Sequence, residues 1–226
     1  MKRFQRQPET ISEQLGRRLN RYATAASAAG VGLLALVQPS DAQVVYTPTN
    51  VTIAPNSTYN LDLNNDGKVD FVIAQHSYPG YSATLYVGPN ANGVLARSGA
   101  ASCGCDSAFA FPAGAFIGPS KHFVSVSADL AKVEKIAGSV RSFGPWKNEN
   151  NRYLALEFKI SGETHYGWAR LSVQTSYEQG VVGTITGYAY ETIANKPIRA
   201  GRTSGGTEAS DQKGSLGALA VGVPLE

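Results

Sequence analysis

The chain has 226 residues, 24 of them glycine, with 20 Lys and Arg against 17 Asp and Glu and a formal net charge of +3. Six of the basic and three of the acidic residues precede Gln43, so the remainder carries 14 of each and is formally neutral. No basic stripe is left to follow a phosphate backbone, which excludes nucleic acid as a partner.

The first predicted element is a leader. MKRFQRQPETISEQLGRRLNRY is rich in arginine and is followed by the apolar run Ala23 to Val37, then by Ser40 and Ala42. That order predicts a signal peptide over residues 1–42, its apolar part helical, with cleavage before Gln43. The apolar run is shorter than the ~20 residues that cross a bilayer, so no transmembrane span is expected after cleavage. Arg17-Arg18 raises the twin-arginine route, but Asn20 and Arg21 stand where that signal carries apolar residues, and the general export route is favoured. The expected location is therefore secreted or at the cell surface.

From Gln43 the chain reads as short runs rich in Val, Ile, Thr, Tyr and Phe, broken by Gly, Pro and Asn, which are strand and turn signals. The runs are Gln43–Tyr46, Val51–Ile53, Val69–Ala74, Ser82–Val87, Phe123–Ser127, Tyr153–Ile160, Tyr166–Val173 and Gly183–Tyr190. Leu154, Leu156, Phe158 and Ile160 alternate with Ala155, Glu157 and Lys159, which predicts one buried and one wet face. Ser161-Gly162-Glu163 turns that strand into the next as a hairpin. A single short helix is expected where Ser127 caps a face of Leu130, Val133, Ile136 and Ala137 and Gly138 ends it. The fold class is all-β, an antiparallel β-sandwich or small barrel over residues 43–203. From Ser204 to Glu226 the small polar composition predicts a flexible C-terminal tail.

One stretch offers oxygen ligands at a usable spacing. In DLNNDGKVD, Asp62, Asn64, Asp66, the Lys68 carbonyl and Asp70 occupy positions 1, 3, 5, 7 and 9 of a loop, and Gly67 permits its sharp turn. Ca²⁺ takes 6–8 such oxygens. Asn-Asp-Gly is also a hairpin signal that needs no ion, yet a bare hairpin has no use for three crowded carboxylates that repel one another. Position 12 is Ile73, which rules out an EF-hand, and the flanks are strand-like. D-x-N-x-D-G-x-x-D before an apolar strand resembles the calcium loop of the integrin-type FG-GAP hairpin over about Tyr59 to Ala74. The resemblance implies a structural Ca²⁺ bridging two antiparallel strands. No second copy of the unit is present.

Cys103 and Cys105 enclose a single glycine in a chain predicted to reach an oxidising compartment. A local disulfide clip, a redox pair, a metal pair with Asp106 and an intermolecular bridge all remain open on spacing alone. His76, His122 and His165 form no metal pair. Tyr78, Tyr81, Phe143, Trp146 and Tyr177 lie in turn-rich places, and Trp146, Tyr78 and Tyr81 are the candidate ligand contacts, since exposed rings can stack on sugars. Trp168, Tyr188 and Tyr190 lie in strands and read as core or cross-strand pairs.

The segments HYGWARLSV (165–173) and GTITGYAYETIANKPIRAG (183–201), with the RRL…AASAAG leader from Arg17 to Gly30, resemble secreted bacterial proteins without an assigned chemistry, among them relatives of surface-sorted proteins. That resemblance implies export and nothing sharper. The leading expectation is a non-enzymatic calcium-binding β module that acts in cell-surface or extracellular binding, with polysaccharide or a cell-surface component as partner. The alternative is a secreted carbohydrate-active hydrolase, whose two facing carboxylates no spacing selects among Glu157, Glu163 and Glu178.

Overall fold

A computed structural model describes residues 43–78, 80–99, 105–136, 138–176 and 178–205. The expected signal peptide, Cys103, Tyr177 and residues 206–226 of the expected tail lie outside the described residues. Among the described residues fourteen strands follow in chain order: β1 (Val44–Ile53), β2 (Thr58–Leu61), β3 (Phe71–Tyr78), β4 (Ser82–Gly88), β5 (Gly93–Arg97), β6 (Asp106–Ala108), β7 (Phe116–Ile117), β8 (Phe123–Val124), β9 (Ala128–Ile136), β10 (Ser139–Phe143), β11 (Arg152–Ile160), β12 (Glu163–Ser176), β13 (Gly180–Glu191) and β14 (Ile198–Arg199). The fold is all-β, as its alternation and turn chemistry predict.

Twelve strands form one sheet in the order β1-β13-β12-β11-β5-β6-β9-β4-β3-β2, with β8 on β5 and β10 on β9. All pairs are antiparallel except β6 with β9. The sheet is nearly closed and barrel-like because β5 serves two halves. Gly93 and Val94 pair with Glu157 and Leu156 of β11, whereas Ala96 and Arg97 pair with Ala108 and Ser107 of β6. The halves face each other across a core of Ile53, Leu156, Leu171 and Ile185 from one and Phe71, Ile73, Leu85 and Val133 from the other. Each such side chain removed from water contributes about 1.5–3 kcal/mol.

The first half is covered on its outer face as well. β7 and β14 form a two-stranded sheet, and Ile117, Ile198 and Ala200 pack against Tyr153, Ala155, Tyr166 and Trp168. Phe111 bridges to Tyr153 with both backbone hydrogen bonds, N to O, at 3.0 and 2.9 Å. This corrects the expected wet face of β11 at Ala155, which is fully buried beneath that cover, whereas Lys159 is exposed as expected. Leu154, Leu156 and Phe158 are buried on the inner face as expected, while Ile160 is half-buried beside the hairpin turn. Trp168 and Tyr188 are buried, in keeping with their reading as core.

The expected helix after Ser127 is instead strand β9. A β-bulge lies where Leu85 and Tyr86 pair with Ala131 and Asp129, leaving Leu130 as the extra residue. The bulge shifts the buried phase from Ala128 to Ala131 and Val133, with Leu130 also buried. The resulting spacing imitates a helical face although the backbone is extended. Gly144 sits against this bulge: a Cβ there would lie 2.3 Å from the Leu130 carbonyl oxygen. The Trp146 N–H donates to the same oxygen at 3.2 Å.

A second irregularity reorients β1 and β13 together. Register shifts between Pro48 and Val51 on β1 opposite Thr186 on β13. Ile185 before the shift and Tyr188 after it therefore both face the core, two residues of opposite parity. Arg170 of β12 holds this place, donating through Nε to the Thr186 hydroxyl at 2.7 Å and through a terminal nitrogen to the Thr186 carbonyl at 3.0 Å.

Candidate metal centre

The loop from Asp62 to Asp70 joins the antiparallel strands β2 and β3, which pair Leu61 with Phe71. Its turn is built from its own carboxylates. Asp62 accepts the N–H groups of Asp66 and Gly67 at 3.1 and 2.7 Å, and Asp66 accepts the Lys68 N–H at 2.9 Å. Asn65 and Gly67 take positive φ values of 58° and 86°, conformations that Asn and Gly tolerate best. Asp70 closes the loop, its carboxylate accepting the Leu63 N–H at 2.8 Å and its own N–H donating to the Leu61 carbonyl at 2.9 Å.

Two contacts from outside the loop fix its frame. Asn92, in the turn before β5, donates to the Asp70 carbonyl at 3.0 Å and accepts the Lys159 N–H of β11 at 3.3 Å. Asn90 donates to the Val69 carbonyl. Leu63, fully buried, enters the core where β12 carries Gly167, and a Cβ at that glycine would stand 2.8 Å from a Leu63 methyl carbon. Position 2 of the loop is thus an apolar anchor and the alternating positions carry its oxygens.

The electrostatics of the loop weigh on Asp70. Burial pushes the Asp70 carboxyl up, and the Asp62 and Asp66 carboxylates push it further, opposed by the Leu63 N–H and Asn92. Asn64 donates to the Asp66 carboxylate at 3.2 Å, while its side-chain oxygen is buried with no hydrogen-bond partner. Among the described residues, no three His, Cys, Asp or Glu side chains gather closely enough to hold a metal by themselves. The donors that fit Ca²⁺ here are accordingly mixed: carboxylates, the orphaned amide oxygen of Asn64 and the Lys68 carbonyl, all hard oxygens.

The remaining candidates are scattered. Trp146 is fully buried, with its indole N–H donating to the Ala108 carbonyl at 3.1 Å, so it presents no ring to a ligand. Its Gly-Pro context marks a turn, but that turn folds inward over the β9 bulge. Tyr78 and Tyr81 are 58% and 75% exposed, and Tyr78 stacks on His76 with ring centroids 5.1 Å apart. His165 is buried and bonds through Nδ1 to the Glu191 carbonyl at 2.9 Å. Cys105 is disulfide-bonded. Glu157 lies beside Tyr166, whose hydroxyl burial and that carboxylate push up, while Glu163 and Glu178 lie at opposite ends of β12. Asn90, Asn92 and the Leu63–Gly167 contact were not selected by sequence, since nothing local marks a turn asparagine as a partner of a distant loop.

No protein-family model, no curated protein and no solved structure matches the chain.

Proposed function

We propose that the protein is an exported, non-enzymatic β module whose Asp62–Asp70 loop binds one structural Ca²⁺, and that it acts at the cell surface or outside the cell by holding a polysaccharide or another surface component. The observation that carries the reading is the Asn64 side-chain oxygen, buried and without a hydrogen-bond partner in a loop that also carries Asp62, Asp66 and Asp70. A buried acceptor without a donor costs roughly 1–3 kcal/mol, and a cation at that point removes the cost together with the repulsion among Asp62, Asp66 and Asp70. Asp62, Asn64, Asp66, Asp70 and the Lys68 carbonyl would hold the ion. Bound there, it would tie β2 to β3 and hold Leu63 in the core. An ion wrapped by its own loop has few open positions, which favours a structural over a catalytic role.

Calorimetric titration of Ca²⁺ into the metal-free chain, with the melting temperature followed in parallel, tests the proposal. One saturable site and a raised melting temperature are expected, both lost in Asp66→Ala. Absence of heat and of any shift would leave the loop as a hairpin turn alone.

A further inference from the structure

At the far end of β3 from the calcium loop, the sheet halves part. A cavity of about 270 Å³ opens there between the β3–β4 hairpin, the β1–β2 turn and the β12–β13 hairpin. Ala83 and Val133 form its apolar floor, kept shallow because Gly180 crosses so close that a Cβ there would stand 2.6 Å from the Ala83 Cβ. Around the floor stand Asn56, Ser77, Tyr78, Lys135, Glu178 and Gln179.

From this arrangement we infer that the mouth is a binding site for a neutral sugar ring, either terminal or within a polysaccharide. The inference rests on the reading of the protein as a surface-binding module and names the class of its ligand.

Three features select a sugar. Tyr78 is 58% exposed although His76 is stacked on it at 5.1 Å, so the phenol is held in a fixed attitude with much of its surface free. A ring held in that way offers an apolar face to the C–H face of a pyranose at little entropic cost. The polar rim is pre-organised as well. Gln75 is buried and accepts the Asn56 N–H at 2.6 Å while donating to the Ser77 hydroxyl at 2.6 Å, and the Asn56 side chain accepts the Ser77 N–H at 2.8 Å. Amide and hydroxyl groups fixed in this way match sugar hydroxyls, which both donate and accept. The rim's charges are one Lys and one Glu, so it carries no surplus to hold a phosphate chain or a polyanion.

A peptide is the less suitable occupant. Peptides commonly add to a free sheet edge. Here β4 lies between β3 and β9, and beyond the reach of β2 the Gln75 and Ser77 N–H groups of β3 are already taken by the Ser57 carbonyl and the Asn56 side chain, so β3 has no free run of N–H groups for an added strand.

The test is calorimetric titration of the full chain with cellohexaose, laminarihexaose, xylohexaose and mannohexaose, repeated on Tyr78→Ala and Tyr78→Phe. Saturable binding of at least one oligosaccharide is expected, weakened about tenfold or more in Tyr78→Ala, a loss of about 1.4 kcal/mol, and retained in Tyr78→Phe, which keeps the stacking ring. Binding to none of the four, or binding that survives Tyr78→Ala, overturns the inference. Titrating Ca²⁺ into the same samples separates the two ideas: a protein that takes calcium and no sugar loses the mouth site and keeps the loop.

Discussion

The two ends of β3 solve opposite problems. At Asp70 the chain gathers like charges and turns them inward on the N–H groups of its own loop, with a leucine pinned in the core beneath. At Tyr78, eight residues on, an exposed phenol ring borders a shallow cavity. The first end is over-supplied with acceptors, among them the unpartnered Asn64 oxygen. The second has a polar rim fixed by its own hydrogen bonds and offers surface. The difference teaches that the proposed stabilising and recognising sites would share one strand without either depending on the other, because roughly 25 Å of extended backbone separates them.

The sharpest way to break this contrast is to remove the anchor. Leu63→Ala should destabilise the protein by about 2–5 kcal/mol in urea unfolding, since a fully buried leucine leaves a cavity over Gly167. Next comes the cation. Saturating Ca²⁺ at about a hundred times its dissociation constant should add roughly 2.7 kcal/mol, read as a raised melting temperature, and Asp66→Ala should abolish that gain. A loop that melts identically with and without Ca²⁺ would remove the distinction between the two ends.

A smaller effect follows from the protonation of Asp70. Its folded-state pKa lies above its ordinary 3.8, so the metal-free protein should lose stability as pH rises from that value through the raised one. Ca²⁺ binding requires the ionised form, and its affinity should fall as pH drops through the same window. Asp70→Asn should flatten the metal-free pH profile, measured by thermal melts, while losing Ca²⁺ binding. Least of all, Tyr78→Ala should change stability by no more than about 0.5 kcal/mol, because the ring is exposed and supports no core contact. A cost like that of Leu63→Ala would mean that the mouth is structural too.

Much of this was legible in the sequence where the physics is local. The β11–β12 hairpin at Ser161-Gly162, the Asn-Asp-Gly turn and the spacing of Asp62, Asn64, Asp66 and Asp70 each follow from residues near one another. What misled was phase. The bulge at Leu130 places buried residues at 128, 130, 131 and 133, a pattern that a helix also produces. Trp146 was misplaced for a different reason: its Gly-Pro neighbours mark a turn, and only the tertiary fold shows that the turn packs against the bulge. Ala155 is small enough to suit either face, and its burial depends on β7 and β14, which come from distant parts of the chain. The orphaned oxygen of Asn64 is a property of three dimensions altogether.

The position of β5 has a consequence for how the protein comes apart. Its first two residues belong to the ladder with β11 and its later two to the ladder with β6, so five residues bind both halves of the sheet. Neither half can peel away while that strand stays paired, and neither keeps its core once the other leaves. Loss of structure should therefore be a single all-or-none event rather than a stepwise fraying of layers. A protease would then find few partly open forms to cut.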